Sequence, residues 1–74
     1  MKMVFTLNGL DCANCAAKIE RKVAALPGVE GANVNFLTQR MTIVCDDALA
    51  VQVTEQATAA AKTVDGALTV RRVG

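Results

Sequence analysis

The sequence of 74 residues contains no histidine, tryptophan or tyrosine, and its only aromatic residues are Phe5 and Phe36. Without histidine, the chain lacks the commonest general base and the commonest nitrogen ligand of metals, which argues against acid–base or triad catalysis. Eight Lys and Arg residues are balanced by seven Asp and Glu residues. With so balanced a charge and so few aromatic side chains, the chain does not resemble a nucleic-acid-binding protein.

Long hydrophobic runs are also absent. No run approaches the roughly 20 residues that a membrane-spanning helix needs, and the opening KMVFTL is too short and too alternating to be the core of a signal peptide. Hydrophobic residues nevertheless make up 53% of the chain, which favours a folded globule over disorder. We therefore expect one small domain, either cytosolic by itself or a soluble module of a larger protein.

Four segments have the alternating pattern of half-buried strands. In residues 2–7, Met3, Phe5 and Leu7 share one face. The other predicted strands are residues 33–37, 41–45 and 68–73, with a hairpin turn at residues 38–40. Cys45 falls on the same face of its strand as the hydrophobic residues before it, which predicts a buried, core-forming cysteine.

Two further segments have the spacing of amphipathic helices. Residues 15–26 place Cys15, Ile19, Val23 and Leu26 on one stripe, and Pro27 and Gly28 follow as a stop signal. The second helix is predicted at residues 49–64, after Asp46 and Asp47, which are favourable capping residues. Its predicted inward residues are Leu49, Val53, Ala57, Ala60 and Val64.

The predicted order is β-α-β-β-α-β, which is that of the α+β ferredoxin-like sandwich. Each helix has only one apolar stripe, so both helices should cover the same face of a four-stranded antiparallel sheet. From the right-handed crossover rule, we expect the first and third strands to be parallel-running neighbours at the centre. The loop between the first strand and the first helix should then lie at one end of the sheet, exposed to a partner.

That loop reads GLDCANC and holds Cys12 and Cys15, two of the chain's three cysteines. Their spacing lets both sulfurs approach one point at a helix start, where free backbone N–H groups favour the thiolate. A thiol-redox pair uses the same physics, but the element order differs from that of thioredoxin-like proteins. A closed zinc site needs four ligands, and the chain offers one pair and no histidine. An open metal-capture loop remains.

Asp11, directly before the first cysteine, has two interpretations. It could be a helix cap, a role for which Asn14 competes, or it could be an oxygen ligand. Two thiolates and a carboxylate carry three negative charges, which a divalent ion offsets better than a monovalent one. Zn(II) prefers four ligands and accepts oxygen, whereas Cu(I) is satisfied by soft sulfur ligands. As a ligand, Asp11 would therefore favour zinc, cadmium or lead.

The stretches GLDCANCAAKIE, LPGV and VNFLTQRMTIV resemble the heavy-metal-associated domain, and the resemblance covers essentially all of residues 1–74. It is strongest to the amino-terminal domains of P-type ATPases that export zinc, cadmium and lead. The resemblance implies that Cys12 and Cys15 bind the metal, that Asp11 joins them in the divalent subgroup, and that Leu10 is a buried anchor. Copper members often have methionine and threonine or serine where this chain has Leu10 and Asp11.

The resemblance implies a function for the whole chain. We expect a non-enzymatic, monomeric domain on the cytoplasmic side of a membrane, outside the bilayer itself and without a nucleic-acid partner. It would capture Zn(II), Cd(II) or Pb(II) and deliver the ion to a metal-exporting ATPase, or regulate that ATPase. A Cu(I) chaperone is the first alternative, since a chain that begins at Met1 could stand alone. A thiol-redox module is the second.

Overall fold

The computed structural model describes residues 1–74, and its elements follow the predicted order. One sheet contains four strands, which are β1 (Lys2–Asn8), β2 (Val29–Asn35), β3 (Arg40–Cys45) and β4 (Thr69–Arg72). The two helices are α1 (Ala13–Ala24) and α2 (Ala50–Val64), and a short 3₁₀ turn, Asp47–Leu49, leads into α2. Neither helix is both long and apolar enough to cross a membrane.

The strands lie in the order β2-β3-β1-β4, and every neighbouring pair is antiparallel. The ferredoxin-like sandwich is therefore confirmed, and β1 and β3 are the central neighbours, as predicted. The prediction that these two strands run parallel is wrong. The right-handed crossover through α1 joins β1 to β2, which are parallel but not adjacent. Because β3 returns from β2 by a hairpin and enters the gap between them, it is antiparallel to both.

The core lies between the sheet and the two helices. Register pairs Met3 with Ile43 and Phe5 with Met41, so the apolar sides of the two central strands share one face. Cys45 extends this row and is fully buried, which confirms its predicted place in the core. The helices cover the same face with a single continuous cluster, to which they contribute the buried residues Ala16, Ile19, Val23, Ala50, Val53, Ala57 and Ala61.

The buried stripe of α2 differs from the predicted one. Val53 and Ala57 are buried as expected, but Ala50 and Ala61 complete the stripe. Leu49, Ala60 and Val64 are only partly buried and pack at its flank. The Asp46 carboxylate accepts the Ala48 N–H at 3.0 Å and starts a 3₁₀ turn that includes Leu49, so Leu49 precedes the α-helix, and Ala50, Val53, Ala57 and Ala61 follow the spacing of one helical face.

The hairpin between β2 and β3 is one residue longer than predicted and starts two residues earlier. Phe36 and Leu37 belong to the turn, not to the strand. Asn35 ends β2 because its side-chain oxygen accepts the N–H groups of Leu37 at 3.0 Å and Thr38 at 3.2 Å. These bonds offer the backbone an alternative to continued strand pairing.

The turn after α1 generates a stability prediction. Gly28 follows Pro27 with a φ of +87°, and a Cβ there would collide with Leu49. We expect Gly28→Ala to lower the free energy of unfolding by about 2 kcal/mol, through this collision and the left-handed backbone. The measurement is urea unfolding, with Gly31→Ala as the control because a Cβ at Gly31 meets nothing within 4 Å. Equal stability of the two variants would contradict this packing.

Candidate metal centre

The candidate centre begins with a tight turn that leaves β1. The Leu10 N–H donates to the Leu7 carbonyl at 3.3 Å, closing a four-residue turn. Gly9 occupies its third position with a φ of +96°, a conformation that glycine adopts at no steric cost. The turn reverses the chain toward the core, where the side chain of Leu10 is only 1% exposed. The expectation that Leu10 is a buried anchor is thereby confirmed.

The chain returns to the surface directly after Leu10. Asp11 is exposed, and Cys12 and Cys15 are half-buried. Cys12 is the residue that precedes α1, with extended backbone angles, and its carbonyl accepts the Ala16 N–H at 3.1 Å. The helix thus begins at Ala13, two residues before the predicted start, which places Cys15 inside its first turn. Both sulfurs are free thiols at the same helix end.

The two thiols differ in acidity. The backbone N–H groups of Cys15 and Asn14, followed by the Cys15 thiol, hold the pKa of Cys12 below its usual value. The Cys12 sulfur makes no capping hydrogen bond, so this stabilisation comes from the unpaired N–H groups of the first turn of α1 near the sulfur. A helix N-terminus favours negative charge for the same reason. Cys12 is therefore the thiol that ionises first.

Cys15 has the opposite character. The neighbouring Cys12 sulfur is the main cause that raises the pKa of the Cys15 thiol, followed by partial burial and by the negative charges of Cys12 and Asp65. Over the range in which only Cys12 is ionised, the pair is one thiolate beside one thiol. Since the thiolate is the metal-binding species, an ion would meet Cys12 first and displace the Cys15 proton.

Asp11 does not cap the helix. Cys12 occupies the capping position, and neither the Asp11 nor the Asn14 side chain makes a hydrogen bond. The Asp11 carboxylate lies near enough to Cys12 to raise the pKa of that thiol, against the larger effect of the N–H groups. No three Cys, Asp or Glu side chains are grouped closely enough to hold a metal ion. The ligand set of Asp11, Cys12 and Cys15 therefore stays a prediction.

Two residues of neighbouring turns also act on this loop. Gln39, from the β2–β3 turn, donates its side-chain amide to the Leu10 carbonyl at 2.6 Å. Asp65, from the turn before β4, acts on Cys15 through its charge while its carboxylate accepts the Ala67 N–H at 3.0 Å. No local sequence signal marks the Gln39 contact, because it depends on which turns the fold brings to the same end of the sheet.

Each of the two sulfurs shifts the pKa of the other, so their titrations are interdependent. We expect Cys12→Ala to lower the pKa of Cys15 toward its usual value, because the substitution removes the main cause of its increase. The measurement is thiolate absorbance in the ultraviolet against pH on the reduced protein. Cys45→Ala is the control, since this thiol is fully buried and outside the loop. An unchanged Cys15 pKa in Cys12→Ala would show that the two sulfurs are not in contact.

Comparison with known proteins identifies the family of this fold and loop. The family model described as "Heavy-metal-associated domain" matches residues 4–67, which include the whole loop. The "Cadmium, zinc and cobalt-transporting ATPase" of Bacillus subtilis is 38% identical over 72 residues, which are 97% of this chain and 10% of that protein. The "Copper-transporting ATPase 2" of Rhizobium meliloti is 44% identical over 50 residues, which are 64% of this chain and 6% of that protein.

A solved structure agrees with these relatives. The amino-terminal domain of ZntA in its apo form superimposes with a TM-score of 0.70 and 27% identity, over 99% of this chain and 92% of that one. The chain spans about a tenth or less of the length of the curated relatives named above, and those relatives are named for divalent ions in one case and for copper in the other. The chain belongs to the heavy-metal-associated domain family, whose isolated domains are small metal-binding folds without catalytic activity.

Proposed function

We propose that this domain captures Zn(II), Cd(II) or Pb(II) through Cys12 and Cys15, with Asp11 as a third ligand. The observation that supports this most concerns two adjacent residues of the loop. The Cys12 thiol has a lowered pKa, and the exposed Asp11 carboxylate beside it makes no hydrogen bond. Two thiolates and one carboxylate suit a borderline divalent ion better than Cu(I). The metal is cargo, and the incomplete ligand set leaves a position through which it can be exchanged.

The destination of the ion is part of the same proposal. The relatives are transporting ATPases by name, and this chain corresponds to a small part of them. We infer that the domain acts as a monomer on the cytoplasmic side of a membrane ATPase, as part of that protein or as its separate partner. The ion would pass by exchange of one sulfur ligand at a time, or its binding would regulate turnover.

A Cu(I) carrier is the second candidate, favoured by the 44% identity to a relative named for copper transport. Cu(I) needs only the two sulfurs, so this candidate assigns no role to Asp11. Asp65, in the turn before β4, adds a negative charge that acts on Cys15, and Lys18 of α1 offsets it as a smaller, positive contribution. Negative charge near two thiolates favours the ion of higher charge, and for this reason we rank the divalent ions first.

The metal-binding function itself is tested by removing one sulfur. We expect Cys15→Ser to weaken Zn(II) binding by roughly 100-fold or more, since even the supporting contacts of a metal site are worth 10–100-fold. The measurement is competition with a chromophoric chelator, on reduced protein. Cys45→Ala is the matched control, because it removes a cysteine that lies in the core; its affinity should equal that of the parent. Equal weakening by both variants would exclude the loop as the site.

The choice of ion is tested at Asp11. We expect Asp11→Asn to weaken Zn(II) binding by roughly 10-fold or more and to leave Cu(I) binding nearly unchanged, because only the divalent ion uses the oxygen. The two ions are titrated in parallel on the same reduced preparations. Glu30→Gln removes an equal charge at the start of β2, away from the loop, and controls for a general electrostatic effect. If both ions bind Asp11→Asn as they bind the parent, the Cu(I) candidate gains the stronger position.

A further inference from the structure

Gln39 forms hydrogen bonds with the first and last residues of the turn at residues 7–10, which leads into the metal loop. Its backbone carbonyl accepts the Leu7 N–H at 2.8 Å, and its side-chain amide donates to the Leu10 carbonyl at 2.6 Å. Leu7 and Leu10 are also the first and last residues of the turn, joined to each other at 3.3 Å. One residue of a different hairpin therefore binds the two outward-facing backbone groups of this turn.

The backbone of Gln39 is unusual for its residue type. It is the only non-glycine residue with a positive φ, at +54°. Asparagine, aspartate and glycine adopt this left-handed conformation more readily than glutamine, so the local preference of the turn does not explain a glutamine here. The side chain does explain it, because reaching the Leu10 carbonyl from this position requires its length and its amide donor.

The Leu10 carbonyl belongs to the peptide that leads into Asp11. Burial of the Leu10 side chain fixes where that residue sits, but leaves the following peptide free to rotate. Asp11 makes no hydrogen bond that would stop this rotation, and the next fixed group is the Cys12 carbonyl, held by the Ala16 N–H. The Gln39 contact is therefore the last restraint before the residues that present the carboxylate and the first thiol.

We propose that Gln39 is a positioning residue of the metal site. By fixing the peptide between Leu10 and Asp11, it limits the directions in which Asp11 and Cys12 face, and so lowers the ordering cost of binding an ion. Preorganised ligands bind more tightly because less conformational freedom is lost on binding. This inference rests on the proposed function, since it assumes that the loop binds metal, but Gln39 itself touches no ion.

Two substitutions separate the side-chain contact from the backbone strain. Gln39→Asn keeps an amide and suits the left-handed backbone better, but it is one methylene shorter than glutamine. Gln39→Met keeps the length and lacks the donor. Thr38→Ala is the matched control, because it lies in the same turn and its side chain makes no hydrogen bond. Each protein is measured for Zn(II) affinity, for its urea unfolding midpoint, and for NMR order parameters of the Asp11 and Cys12 amides.

We expect both Gln39 variants to bind Zn(II) roughly 10-fold more weakly than the parent, with lower order parameters at Asp11 and Cys12. Gln39→Asn should show this loss with an unfolding midpoint equal to or above that of the parent, which a purely structural role would not produce. Thr38→Ala should match the parent in all three measurements. Parent-like affinity and order parameters in both Gln39 variants would overturn the inference and leave the proposed function standing. Failure of the parent itself to bind Zn(II) through Cys12 and Cys15 would overturn both.

Discussion

The burial of Leu10 is the constraint on which the loop depends. Its side chain is in the core while the next residue, Asp11, is exposed, so the chain passes from interior to surface within one peptide. Burying a leucine side chain is worth roughly 1.5–3 kcal/mol, and that free energy is lost if the loop lifts away. The position of the candidate ligands is therefore tied to the stability of the whole core, against which Cys15 also packs.

The proposed ligands lie outside the fully buried core. Structural zinc sites supply much of the folding free energy of their domains, whereas the buried residues here include none of Asp11, Cys12 and Cys15. The thiols lie half-buried at the edge of that core, and one of them is acidic because it faces the start of α1. The proposed carrier role requires an ion to be released without unfolding of the domain, and ligands outside the buried core suit that requirement.

The sequence predicted most of the fold but not the contacts around the loop. The alternation of hydrophobic and polar residues located β1 and β3 and placed Cys45 in the core, because every second side chain of a strand with one buried face points inward. It placed Phe36 and Leu37 in β2 wrongly, since the Asn35 side chain competes for the backbone there. The contact between Gln39 and Leu10 could not be predicted, because the two residues lie 29 positions apart. Such contacts follow from the packing of turns and leave no local pattern.

The state of Asp11 bears on how the site would select an ion. Its carboxylate has no hydrogen-bond partner and does not cap α1, so recruiting it to a metal breaks no existing interaction. A carboxylate engaged as a cap would have to give up about 1 kcal/mol before it could coordinate. The Asp11 carboxylate also repels the Cys12 thiolate. A bound cation would relieve this repulsion, and a divalent cation would relieve it more fully than a monovalent one. Under the proposed function, the uncommitted carboxylate would therefore cost a Cu(I) site some electrostatic repulsion without return, whereas it would give a divalent ion an additional oxygen ligand.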